Sequence, residues 1–186
     1  MKPIFTIHAG EYLAGSFIEK HLKSCEVWVP SKDTGIDLLV TNLGAGKHVG
    51  IQVKFSKDFL VTNMSSSLRK GLLACGWWTL NRDKIRKSKA EFWIFVVYSF
   101  DKRKPQYLII KPKKLISLLK AIHGNTKLIN VYFWITTKNR CWATRNLNTK
   151  DQHLIAAHSY KNSERDFTRY LENWESIKKR LSSAAA

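Results

Sequence analysis

Three polar residues with complementary chemistry, Asp37, Gln52 and Lys54, fall within two short segments that are otherwise rich in β-forming residues. Residues 49–55 alternate strictly between apolar and other side chains, which predicts a strand that carries Gln52 and Lys54 on one face. Residues 36–40 are apolar apart from Asp37, and this run predicts a second strand. A carboxylate, an amide and an ammonium could therefore form one ionic site if these two strands pair.

The segment between the two strands predicts how they pair. Residues 41–48 contain two glycines and are typical of a hairpin connection. A turn centred near residue 45 would place Asp37 opposite the segment from Gln52 to Lys54, because residues 37 and 53 are equidistant from residue 45. A cross-strand ion pair between Asp37 and Lys54 would contribute only about 0.2–1 kcal/mol. That is a small gain for charges placed in a largely apolar hairpin, so we favour a functional site over a simple ion pair.

The order Asp, then Gln-x-Lys across a hairpin, resembles the signature of the PD-(D/E)xK nuclease superfamily. The likeness is greatest to its Mrr-like and restriction-endonuclease-like branches, in which Gln commonly replaces the second acid. In that family a Glu on the preceding helix often joins the site, and Glu11 is the candidate here. Ile36 stands where the family usually has Pro, and Gln52 brings no charge. The resemblance covers residues 8–56.

The resemblance implies an α/β (α+β) fold with a restriction-endonuclease-like α-β-β-β-α-β core. A mixed central sheet would be flanked by helices, with extra strands and a helix at the C-terminus. It also implies a metal-dependent endonuclease of the restriction or repair type that hydrolyses phosphodiester bonds in DNA, with Mg²⁺ as cofactor and Mn²⁺ as a substitute. A non-catalytic nucleic-acid-binding protein on the same fold and an RNA-cleaving toxin remain alternatives, and a homodimer is compatible with the family.

The resemblance also implies a role for each residue. Asp37 would be the anionic metal ligand, while the side-chain carbonyl of Gln52 and the backbone carbonyl of Val53 would be neutral ligands. Glu11 would coordinate directly or through water, although an acid in the first turn of a helix can also simply complement the helix dipole. Lys54 would orient the attacking water and stabilise developing negative charge.

Positive charge is concentrated outside this segment. The chain has a formal net charge of +18, of which residues 61–186 carry +17, with 25 basic and eight acidic residues. A cationic body around a nearly neutral site predicts contact with nucleic-acid phosphates, although such charge can also aid solubility. The residues predicted to contact nucleic acid are Lys57, Arg69, Lys70, Arg82, Lys84, Arg86 and Lys87. The adjacent Trp77 and Trp78 could stack on unpaired bases or could be buried.

Hydrophobic periodicity predicts the elements that must position the cluster. Helices are predicted over residues 10–23, 65–75, 112–124 and 167–181, and further strands over residues 25–29, 91–98, 107–110, 131–135 and 141–144. Residues 91–98 are apolar almost throughout, which predicts a central strand covered on both faces. We expect residues 1–183 to form one domain and interpret the alanines at 184–186 as an artificial tail.

Other classes of protein are disfavoured by the sequence. No apolar run approaches the roughly 20 residues that span a bilayer. Three widely spaced cysteines form no zinc pattern and suggest free thiols in a reducing compartment, so a cytoplasmic location is expected. The six histidines are scattered, and the sequence contains neither a P-loop nor a nucleophile elbow. The Asp37 cluster therefore has no catalytic rival in the sequence.

Overall fold

Two β-sheets flanked by helices make up the protein in a computed structural model that describes residues 8–32, 34–44, 46–60, 64–99 and 101–182. The strands are β1 (Cys25–Trp28), β2 (Leu38–Asn42), β3 (Lys47–Lys57), β4 (Leu72–Asn81), β5 (Phe92–Ser99), β6 (Lys104–Ile110), β7 (Leu128–Thr136) and β8 (Cys141–Ala143). The α-helices are α1 (Ala9–His21), α2 (Ser66–Arg69), α3 (Arg82–Arg86), α4 (Pro112–His123), α5 (Thr149–Ala156) and α6 (Glu175–Ser182).

The central sheet has the strand order β1-β2-β3-β5-β6. Strands β1, β2 and β3 pair antiparallel, β3 pairs parallel with β5, and β6 returns antiparallel to β5. Helices α1 and α6 cover one face, where Ile18 and Ile177 pack with Ile51 and Ile94 in one apolar cluster. The predicted α/β fold, with a mixed central sheet flanked by helices, is confirmed at this level.

The second sheet, with the order β4-β7-β8, packs against the opposite face of the central sheet. Aromatic rings join the two sheets: the ring centroids of Phe95 and Phe133 lie 5.5 Å apart, and those of Trp78 and Phe95 lie 5.0 Å apart. Strand β5 is thus buried on both faces, as its continuous apolar sequence predicts.

The helix predicted over residues 65–75 is wrong. A short helix ends at Arg69, and strand β4 begins at Leu72. The prediction failed because β4 pairs antiparallel with β7, far along the chain, and this tertiary partner outweighs the local leucine spacing. The described part of the connection from β3 to β5 therefore contains a strand and two short helices, where the sequence predicted one helix.

The single helix predicted over residues 167–181 is also wrong. A 3-10 turn at Thr168–Tyr170 comes first, and α6 begins only at Glu175. Between them Glu172 adopts a positive φ of 52°, and its N–H donates to the carbonyl of Tyr107 at 2.7 Å. The carboxylate of Glu172 accepts from the N–H of Tyr107 at 2.9 Å. These bonds to β6 break the helix although the apolar spacing continues.

Within the part of the chain that the structure describes, no helix is long and apolar enough to cross a bilayer. The tail predicted at residues 184–186 lies outside the described residues.

Gly71, between α2 and β4, marks a close contact with α5. A Cβ at this position would lie 1.8 Å from the carbonyl oxygen of Ala156, which is backbone and cannot rotate away. We expect Gly71→Ala to lower the free energy of unfolding by about 3 kcal/mol, measured by urea denaturation. Gly44→Ala is the control, because a Cβ there would meet nothing closer than 3.8 Å. Equal stability of the two variants would show that α5 can move away at little cost.

Candidate active site

The hairpin of β2 and β3 brings the predicted cluster together. Leu38 pairs with Ile51, so Asp37 is level with Gln52 and not with residue 53, and the predicted register is wrong by one position. The pairing extends to Asn42 and Lys47, which centres the turn half a residue earlier than predicted. The shift keeps Gln52 beside Asp37, because the two residues lie at the position just beyond the last pair of the ladder, Leu38 with Ile51.

The carboxylate of Asp37 is buried, with 7% of the residue exposed. Its Oδ2 accepts the backbone N–H of Val53 at 2.8 Å and a second hydrogen bond from the side-chain amide of Gln52. The N–H of Asp37 itself donates to the carbonyl of Ile51 at 2.8 Å. These bonds fix the position of the carboxylate at the mouth of the hairpin.

Helix α1 brings a second carboxylate to the same place. Glu11 lies in the first turn of α1 and is 5% exposed. Its Oε2 accepts the N–H of His8 at 3.3 Å, so the side chain also caps the helix. Gly10 permits the close approach of α1 to β3, since a Cβ there would lie 2.7 Å from Cβ of Phe55. Capping the helix and facing the site are therefore compatible roles for Glu11.

Lys54 shares a strand face with Gln52, as the alternation predicts. Its Nζ lies 5.3 Å from the centroid of the Trp93 ring on β5, in cation–π contact. Trp93 is buried between the two sheets, so its ring is a fixed neighbour of the Lys54 ammonium.

One cavity of about 1230 Å³ contains all of these groups. It lies between the Asp37 end of the central sheet and the end of the second sheet with α3. Among the described residues that line it are five lysines and three acids: Lys54, Lys84, Lys87, Lys89, Lys127, Glu11, Asp37 and Asp83. Two carboxylates thus stand on the central-sheet side, and four lysines come from α3 and the segments around it. A polyanion entering the cavity would meet lysine side chains on one side and carboxylate oxygens on the other.

The predicted nucleic-acid contacts divide into two groups. Lys84 and Lys87 line the cavity, and Arg86 is exposed beside them, 3.4 Å from the carboxylate of Asp83. Arg82 is buried, and its guanidinium donates to the carbonyls of Thr126 and Gly124. These hydrogen bonds connect α3 to the segment after α4. The guanidinium of Arg82 is therefore buried and does not lie on the surface.

Lys57, Arg69 and Lys70 are exposed but lie outside the lining of the main cavity. Lys70 borders a separate, shallow cavity of about 360 Å³.

Lys127 lines the main cavity but was not predicted from the sequence, because it precedes β7 and no local pattern links it to α3. The link is tertiary: its carbonyl accepts the N–H of Arg82 at 2.9 Å.

Asp58 directly follows β3 and is buried. Its Oδ1 accepts the N–H groups of Leu60 and Cys75, each at 2.9 Å, which connects the end of β3 to β4. Burial raises the pKa of the Asp58 carboxyl above its ordinary value, and these two backbone hydrogen bonds act in the opposite direction. Asp58 is therefore a structural residue of the sheet connection.

The donors in the cavity fit a hard divalent cation by their chemistry: two carboxylates and one amide oxygen. The amide nitrogen of Gln52 donates to Asp37 in this structure. Rotation of the amide group by 180° would exchange its nitrogen and oxygen, so that the oxygen would point to the site and the side chain would occupy the same volume. No three His, Cys, Asp or Glu side chains in the described part of the chain converge on one point. A cation would therefore depend mainly on Asp37 and Glu11 for charge.

Comparisons of this chain with protein-family models, with curated proteins and with solved structures found no match.

Proposed function

We propose that this protein is a magnesium-dependent nuclease that hydrolyses phosphodiester bonds in DNA. One observation carries the proposal: Glu11, Asp37, Gln52 and Lys54 line one cavity whose other side is formed by lysines. The three groups near the hairpin are an acid, an amide and an ammonium within a short distance along two paired strands. Glu11 and Asp37 are both buried, and buried carboxylates that face one cavity are typical of functional sites.

The order of the elements supports the proposal that the core is restriction-endonuclease-like. Helix α1 precedes three antiparallel strands, and the chain then crosses to a strand parallel to the third. In the superfamily that this chain resembles, the acid and the lysine motif lie on the second and third strands, which here are β2 and β3. The strand β4 within the crossover is a departure from that core.

Each side chain has a task in this proposal. Bound magnesium would lower the pKa of a water molecule and neutralise charge on the scissile phosphate. Asp37 and Glu11 would hold the cation by charge, and Gln52 would add a neutral oxygen. The Lys54 ammonium, steadied on Trp93, would orient the attacking water and stabilise negative charge on the phosphoryl oxygens. Lys84 and Lys87 would bind the flanking phosphates.

Supercoiled plasmid incubated with the protein tests the proposal. We expect nicking with Mg²⁺ or Mn²⁺ and none with EDTA, because two carboxylates and an amide need a cation to act on a phosphodiester. Binding in EDTA should persist and weaken with salt, with log affinity falling by about 0.9 per neutralised phosphate on duplex DNA for each unit of log salt. Intact plasmid under all metal conditions would contradict the nuclease. Cleavage of RNA alone would make RNA the substrate.

A non-catalytic nucleic-acid-binding protein is the second candidate. The observation that favours it is the hydrogen bond between Gln52 and Asp37, which satisfies the carboxylate within the chain. Salt-dependent binding of plasmid without nicking in any metal would be the result expected of that protein.

Replacements of Gln52 test its place among the ligands. Gln52→Glu adds a charge at nearly constant volume, so we expect activity to persist and the Mg²⁺ concentration for half-maximal cleavage to fall. Gln52→Leu removes the oxygen, and we expect cleavage to disappear while the protein remains folded by circular dichroism. Both variants should be measured across a Mg²⁺ titration. Normal cutting by Gln52→Leu with unchanged metal dependence would remove Gln52 from the site.

A further inference from the structure

The outer face of the second sheet carries an aromatic surface that the proposed site does not use. Trp77 on β4 is 52% exposed, although its neighbour Trp78 points into the core and is 6% exposed. Trp77 pairs in register with Tyr132 on β7, and their rings are stacked with centroids 6.4 Å apart. The guanidinium carbon of Arg145 lies 5.3 Å from the centroid of Tyr132. We call these three residues the aromatic platform.

The helices that the structure describes cover only part of this sheet face. Towards β8, the same face carries Cys75, Trp134 and Trp142, which are buried under Leu68 of α2 and Ile155 of α5. The platform lies further along the same strands, where Trp77 and Arg145 are exposed and Tyr132 is half-buried. Aromatic rings can stack on flat ligands, and the guanidinium of Arg145 attracts ligands that carry negative charge.

The platform leads directly to the proposed active site. Beyond the Trp77–Tyr132 pair come Thr79 with Asn130, joined by a hydrogen bond of 2.8 Å, and then Asn81 with Leu128. Thr79, Asn81 and Leu128 line the large cavity. Asn81 follows Trp77 by four positions, which is about 13 Å along a strand. A ligand lying along β4 could therefore occupy the platform and the cavity together.

We propose that the aromatic platform stacks the bases of a single-stranded segment of nucleic acid whose backbone enters the cavity. Unpaired bases present free faces to aromatic rings, whereas the bases of a duplex are already stacked on each other. The net charge of +17 on residues 61–186, which include the whole second sheet, suits a polyanion. This inference extends the proposed function by naming the form of its substrate, and binding tests it without any cleavage.

The test is the affinity of Trp77→Ala for a dye-labelled 20-nucleotide single strand, by fluorescence anisotropy in EDTA. Loss of one stacking ring should weaken binding roughly 5- to 100-fold. Affinity for a duplex of the same length should stay within about 2-fold, and Trp77→Phe should retain most of the single-strand affinity. The experiment is run with a deoxyribo- and a ribo-oligonucleotide, and a loss with either supports the proposal.

Trp28→Ala is the matched control. Trp28 is also a strand tryptophan, 56% exposed, but it lies on β1 at the edge of the central sheet. Unchanged single-strand affinity in Trp77→Ala, or an equal loss in Trp28→Ala, would overturn the proposal. So would sedimentation showing a wild-type dimer that Trp77→Ala converts to a monomer, because the platform would then bind a second copy. Plasmid nicking by a Trp77→Ala protein with normal single-strand affinity would reject the platform and keep the nuclease.

Discussion

Replacing Asp37 with Asn should lower the rate of plasmid cleavage about 1,000-fold while the protein stays folded. Asp37 is one of the two carboxylates on the central-sheet side of the cavity, and the hairpin itself provides no other. Asn has nearly the same shape, and its side-chain oxygen can still accept the N–H of Val53. The free energy of unfolding should therefore change by no more than about 1 kcal/mol. Single-turnover cleavage and urea denaturation measure the two effects.

Asp83→Asn is the control for this experiment. Asp83 also lines the cavity, but it belongs to α3 and lies beside Arg86, on the side with the lysines. Its replacement removes one negative charge from the same cavity, and we expect cleavage to change by less than about 3-fold. If the two variants lose activity equally, the cavity responds to overall charge and Asp37 has no special part in the chemistry.

Replacing Lys54 with Met should lower the rate at saturating nucleic acid about 100-fold and leave affinity within about 3-fold. Methionine keeps most of the length of the lysine stem and removes the ammonium that lies over Trp93. A group that stabilises charge only as the phosphodiester is attacked affects the rate and not the binding of the substrate. Cleavage rates over a range of protein concentrations, together with anisotropy in EDTA, separate the two quantities.

The double replacement of Lys84 and Lys87 by Met should behave in the opposite way. Both side chains line the cavity on the α3 side, where we expect them to bind phosphates. Affinity should fall and its dependence on salt should become shallower by about 0.9 for each lost contact, while the saturating rate changes little. Lys54→Met that weakens binding yet cuts normally at saturation would assign Lys54 to binding alone.

Local patterns were sufficient for the hairpin that carries the site. The alternation along β3 indicates which residues face the core, because successive side chains of a strand point to opposite faces irrespective of the strand's partner. The apolar stripe of α1 likewise places Glu11 at its inner edge, and the continuous apolar run of β5 predicts a strand buried on both faces. The register was missed by one residue, since turn length depends on backbone geometry that glycines permit but do not specify.

Tertiary structure decided which groups surround that hairpin. Residues 72–81 became a strand because β7 pairs with them, and this pairing turns Trp77 outwards and Trp78 inwards. The same pairing places α3 at the cavity, so that Lys84 and Lys87 line it together with Asp37. The guanidinium of Arg82, by contrast, donates hydrogen bonds to backbone carbonyls. Helical spacing alone could not foresee this, because the leucines of residues 68–73 satisfy either structure and only a distant partner distinguishes them. The sequence by itself determined the hairpin that carries the candidate site, and long-range strand pairing determined the lysine side of the cavity and the aromatic platform beside it.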